Sequence, residues 1–112
     1  MNGKSVTVCL TDKMHQIAEW IYYNHDVNLS QLTRAAFRNN ELVMQVEKES
    51  LKSYGTGYFR TTINLPAEMN EDIKDIAAKK GMSRSAVVRA VLYRHMQTYK
   101  PDINQSVPVG RG

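Results

Sequence analysis

The sequence predicts a mainly helical fold with one short two-stranded antiparallel ribbon, and three observations carry that prediction. Val6-Thr7-Val8-Cys9-Leu10 and Thr61-Thr62-Ile63-Asn64-Leu65 alternate apolar and polar residues, the period of half-buried strands. Each run is followed by an amphipathic stretch, a turn and a second helix led by serine. Laying Leu10 on Leu65 matches Ser5 with Arg60, Thr7 with Thr62 and Val8 with Ile63, as in a diverged tandem duplication. A lone strand leaves its backbone groups unpaired and its apolar face wet, so the two copies are expected to pair with each other.

The elements follow in order. Val6, Val8 and Leu10 face one side of the first strand, and Ser5, Thr7 and Cys9 the other. Thr11-Asp12 is a helix-start signal, and Met14, Ile17, Ala18, Trp20 and Ile21 recur at helical spacing up to about Tyr23. Asn24-His25-Asp26 is a polar turn. Asn28-Leu29-Ser30 opens a second helix with Ser30 as its expected cap, an apolar stripe of Leu32, Ala35, Ala36, Val43 and Val46, and helical character extending towards Ser53. Tyr54-Gly55-Thr56-Gly57 divides the copies, because its closely spaced glycines stop a helix. In the second strand Phe59, Thr61, Ile63 and Leu65 share one face, and Arg60, Thr62 and Asn64 the other. Pro66 ends it and suits the first turn of a helix that buries Met69, Ile73, Ile76 and Ala77 and stops at Gly81. Met82-Ser83-Arg84-Ser85 caps a last helix carrying Val87, Val88, Val91, Leu92 and Met96, closed by Pro101. The expected organisation is a first unit over 1–53, a connector over 54–58, a second unit over 59–100 and a flexible tail over 101–112.

Composition bounds the function. A chain of 112 residues has room for one compact domain or two very small units sharing a core. No apolar run is long enough to cross a bilayer and no signal peptide opens the chain, so an intracellular location is expected. Cys9 is the single cysteine, and neither it nor His15, His25 and His95 fall at metal-ligand spacing, so no disulfide, metal or cofactor is expected. Cys9 reads as a small half-buried residue rather than a redox switch. Tyr22-Tyr23 could evoke a strand-nicking nucleophile, but without a histidine cluster to hold a metal they read as ordinary aromatics, and no catalytic constellation can be assembled. A net charge of +4 and a pI near 9.3 suit a polyanionic partner, and Arg60, Lys74, Lys79, Lys80, Arg84, Arg89, Arg94 and Lys100 make the second half the more basic.

Phe59 to Tyr99 resembles a ribbon-helix-helix unit of the Arc/MetJ type, most closely in Arg60-Thr61-Thr62-Ile63-Asn64-Leu65-Pro66 and Gly81-Met82-Ser83-Arg84-Ser85. Asp26-Val27-Asn28-Leu29-Ser30-Gln31-Leu32 is similar to the turn and second-helix start of antitoxin-type members. The first unit departs from the pattern in its small, uncharged Ser5, Thr7 and Cys9. Its first helix and turn are also expected to be longer, since the path from Leu10 to Ser30 exceeds that from Leu65 to Ser83. Such tandem arrangements resemble regulators of archaeal viruses and accessory proteins of conjugative DNA transfer.

The resemblance implies an antiparallel ribbon that enters the major groove of double-stranded DNA, and the divergence of the two copies and their covalent link favour pairing within one chain as a pseudo-dimer, with pairing between chains as the alternative. Arg60, Thr62 and Asn64, with Ser5, Thr7 and Cys9, are then the base-reading candidates: Arg suits guanine, Asn suits adenine, and Thr can bond a base or touch a thymine methyl. Ser83, Arg84 and Ser85, with Ser30 and Gln31 as weaker counterparts, are the phosphate-binding candidates at helix starts. The bland alternatives are a solvated strand face for the readers and plain caps for the serines. The expected function is a site-specific, non-catalytic DNA-binding regulator, more a repressor than an activator, with self-association on DNA open and, if viral, acting in the host cell. An accessory protein of a transfer origin is the alternative within DNA binding. An antitoxin with a toxin partner is the alternative outside it, disfavoured by a short tail poor in aromatics.

Overall fold

A computed structural model describes residues 3–46 and 59–101, apart from the side chains of residues 3, 4 and 59. Strand β1 (Gly3–Leu10) leads to helices α1 (Asp12–His25), α2 (Leu29–Phe37) and the short α3 (Asn40–Met44). Strand β2 (Phe59–Pro66) leads to α4 (Ala67–Lys80) and α5 (Arg84–Gln97). The fold is mainly helical with one two-stranded antiparallel sheet, as expected. The expected connector at 54–58, the tail beyond Pro101 and residues 47–53 lie outside the described residues.

The two strands of the same chain pair with each other in a register that sets Ser5 opposite Asn64, Thr7 opposite Thr62 and Cys9 opposite Arg60. Strand alternation then divides the ribbon. Val6, Val8, Leu10, Ile63 and Leu65 are buried against the helices, with Thr61 half-buried on the same face, and Ser5, Thr7, Cys9, Arg60, Thr62 and Asn64 lie on the other. Beneath the inner face, Met14, Ile17 and Ile21 of α1, Leu32 and Ala36 of α2, Ile73 and Ala77 of α4 and Val87, Val88, Val91, Leu92 and Met96 of α5 close one continuous core. Met69, Ile76 and Trp20 are only partly buried, packing at its margin.

The correspondence that matches Leu10 with Leu65 in the strands holds for the helices. Helices α1 and α4 each have 14 residues, and Asp12 and His25 at the ends of the first match Ala67 and Lys80 at the ends of the second. Each ends on a left-handed residue, Asp26 at φ 56° and Gly81 at φ 65°. Asp26 does without Cβ-free freedom because Asp is among the few residues that tolerate this region.

Several expectations are corrected here. Ser30 is not the cap of α2: Asn28 is, its Oδ1 accepting from Gln31 N–H at 2.9 Å while Gln31 Oε1 accepts from Asn28 N–H at 2.9 Å, a reciprocal capping box. With Asn28 matched to Ser83, the first helix and turn are no longer than the second, since each cap falls equally far beyond its leucine, Leu10 or Leu65. The second helix also does not run on towards Ser53. It breaks at Arg38–Asn39, where Asn39 takes an extended conformation and its Oδ1 accepts from Glu41 and Leu42 N–H. Adjacent asparagines compete with helical hydrogen bonding, so Asn39-Asn40 ends one helix and begins another, whereas α5 continues through Arg94-His95 at the matching positions. Pro66, finally, lies just ahead of α4 as its extended N-cap rather than within the first turn.

Candidate nucleic-acid interface

The register brings all six candidate base-reading residues onto one face. Ser5, Thr7, Arg60, Thr62 and Asn64 are exposed or half-exposed there and Cys9 is half-buried. They form three cross-strand pairs, Ser5 with Asn64, Thr7 with Thr62 and Cys9 with Arg60. Exchanging each residue for the one 55 positions away in the other half of the chain turns the Ser5–Asn64 pair into the Arg60–Cys9 pair, so the two threonines sit at the centre of the register. The ends differ chemically: a guanidinium beside a thiol at one, a hydroxyl beside a carboxamide at the other. At the second end Ser5 Oγ–H donates to Asn64 Oδ1 at 3.1 Å.

The second helices fasten this ribbon from below by two matching sets of bonds. Ser30 Oγ accepts from Asn64 N–H at 3.1 Å, and Arg34 Nη1 donates to Asn64 C=O at 3.1 Å. Ser85 Oγ accepts from Cys9 N–H at 3.1 Å, and Arg89 Nη1 donates to Cys9 C=O at 3.1 Å. Each helix thus grips a strand of the other half of the chain. Arg89 Nη1 also donates to Ser85 Oγ at 3.1 Å, so serine and arginine form one brace a helical turn apart. The bracing roles of Arg34 and Arg89 and the capping role of Asn28 are not among the expectations from sequence. The repeated Ser-x-x-x-Arg, at Ser30 to Arg34 and Ser85 to Arg89, is the signal that could have found the braces.

The candidate phosphate-binding residues separate into two groups. Ser83 caps α5, its Oγ accepting from Ala86 N–H at 3.1 Å, which leaves the N–H groups of Arg84 and Ser85 outside the helical ladder. Ser83, Arg84 and Ser85 line a cleft of about 490 Å³ with Ser5, Val6, Thr7 and Asn70, so they adjoin the outer ribbon face. Asn70 is 7% exposed and its Oδ1 is buried without a hydrogen-bond partner. Ser30 and Gln31 are placed differently. Ser30 points at the strand and Gln31 completes a cap, and neither lines the matching cleft of about 350 Å³ formed by His15, Ala18, Glu19, Tyr22, Tyr23, Asn28, Leu29 and Thr61. Where α5 begins with Arg84, α2 begins with Leu29.

Elsewhere, His95 on α5 packs edge-on against Tyr99, ring centroids 5.6 Å apart, and its ring nitrogens are buried without partners. Burial holds its pKa below the usual histidine value. No group of three or more His, Cys, Asp or Glu side chains among the described residues could hold a metal, and no helix among them is long and apolar enough to cross a membrane. Comparison with protein-family models, with curated proteins and with solved structures finds no match.

Proposed function

We propose that this chain is a sequence-specific, non-catalytic DNA-binding regulator, a tandem ribbon-helix-helix protein in which β1 and β2 form the ribbon of an intramolecular pseudo-dimer. The observation that carries the reading is the outer ribbon face. It gathers Arg60, Thr62, Asn64, Ser5, Thr7 and Cys9 on an antiparallel pair of strands, an element whose width fits the major groove. A merely solvated strand face would have no need of the flanking chemistry. The exposed Arg84 and the capped start of α5 adjoin this face in one cleft, supplying a cation and backbone N–H groups suited to a phosphate. The protein would act in the cell by occupying a promoter, as a repressor, since the described residues form no separate effector module.

Selection of bound sequences from random duplex DNA, followed by footprinting, tests this reading. A compact protected site with a defined consensus is expected. Failure to retain any duplex at low salt, where phosphate contacts are strongest, would reject it.

A further inference from the structure

Asn64 is held at three points. Its N–H donates to Ser30 Oγ, its C=O accepts from Arg34 Nη1 and its side-chain Oδ1 accepts from Ser5 Oγ, each at 3.1 Å. Cys9, its counterpart in the first repeat, is held through its backbone by Ser85 and Arg89. The carboxamide is therefore oriented as well as positioned. Ser5 Oγ–H donates to the carboxamide oxygen and uses one of that oxygen's two lone pairs, leaving the second and the NH₂ group for a ligand. That remaining pair of functions, one acceptor beside one donor, matches the N6 and N7 edge of adenine. Holding a contact group before binding reduces the ordering cost paid on binding, so a fixed reader discriminates better than a free one.

We propose that the protein reads a duplex with two unlike half-sites in a single orientation, one half-site specified by an adenine at Asn64, which Ser5, Ser30 and Arg34 hold ready as positioning residues. The inference rests on the DNA-binding reading above. It extends that reading because a near-symmetric backbone register carries unlike chemistry on its two sides: Arg60 beside Cys9 faces one half-site, Asn64 beside Ser5 the other.

The test uses the full chain. Sites are selected from random duplexes, and affinities are then measured for all four base pairs at each position with the wild type, Asn64→Ala, Ser5→Ala, Arg34→Met and Arg89→Met. Asn64→Ala identifies its base pair. The selected site should be non-palindromic, with adenine favoured at that pair by about tenfold. Ser5→Ala and Arg34→Met should cut this preference to about threefold or less while changing affinity for random duplex by less than about twofold. Arg89→Met, the same change in the brace on Cys9, should leave the adenine preference intact. Amide relaxation of the free protein should show the Asn64 side chain ordered in the wild type and mobile in Ser5→Ala. If Arg34→Met fails to fold, the exposed Ser5 carries the comparison. A palindromic consensus, or losses by Ser5→Ala and Arg34→Met that are equal on all duplexes, would overturn the inference while leaving DNA binding in place. Binding to no duplex at all would instead reject the reading on which it rests.

Discussion

Ser85 Oγ accepts the amide proton of Cys9 at 3.1 Å, joining the last helix to the first strand across 76 residues of chain. A strand amide at the rim of the core needs such a partner, because leaving it unsatisfied costs about 1–3 kcal/mol when buried. Ser85→Ala is therefore expected to lower stability by about 1 kcal/mol. Amide exchange locates the effect: the Cys9 amide should exchange much faster while amides in the middle of α4 change only with global stability. Unaltered exchange at Cys9 would show that the bond does not hold in solution.

Asn28, not Ser30, should behave as the cap of α2. Asn28→Ala is expected to lower stability by about 0.5–2 kcal/mol and Asn28→Ser to restore most of it. Denaturant unfolding measures both. A neutral Asn28→Ala would move the helix start elsewhere.

Arg60→Ala should cost about 1–3 kcal/mol on the preferred DNA site and relax preference at one base pair, as for a lost bidentate guanine contact. Affinity for random duplex should fall much less. Equal losses on both DNAs, measured by titration at fixed salt, would reduce Arg60 to a phosphate contact.

His95 gives the fold a pH dependence of definite sign. Above the usual histidine pKa of about 6.5 the folded and unfolded chains are both neutral at this position and its contribution is complete. Below that pH the unfolded chain takes up a proton that buried His95 resists, so stability falls as pH drops towards the lower folded value. Relative to His95→Phe, the wild type should lose melting temperature between about pH 7 and pH 5. A constant difference across that range would exclude the linkage.

Cysteines at Thr7 and Thr62, in a Cys9→Ser background, should close a disulfide within one chain. These residues face each other across the ribbon, and directly opposed residues of an antiparallel pair lie about 4.5–5.5 Å apart at Cα, within disulfide range. Light scattering should show a monomer. A covalent dimer linked through Thr62 positions would mean that strands pair between chains.

Most of the architecture is legible in the sequence because it is local. Parity along Val6–Leu10 and Thr61–Leu65 separates the buried Val6, Val8, Leu10, Ile63 and Leu65 from the polar outer residues, and Gly81 marks the end of α4 through its left-handed backbone. The matching stop at Asp26 is harder to see, since Asp reaches that conformation less readily than Gly and looks like any polar turn residue. Asn28 is hard to prefer over Ser30 because serine is as good a cap as asparagine, and the deciding partner, Gln31, also suits a phosphate at a helix start. The Arg34 and Arg89 braces escape notice for a different reason. They span 30 and 80 residues of chain, and the repeated Ser-x-x-x-Arg that marks them does not tell which distant carbonyl each arginine meets.

Because β1 and β2 belong to one molecule, completion of the ribbon is first order in the chain: dilution leaves it intact for as long as the chain is folded. A ribbon shared between two molecules comes apart below its dissociation constant, so its occupancy of any target varies with the square of copy number in that range. For the DNA-binding role proposed above, occupancy of a target would then rise in proportion to the number of folded chains, without a threshold of assembly.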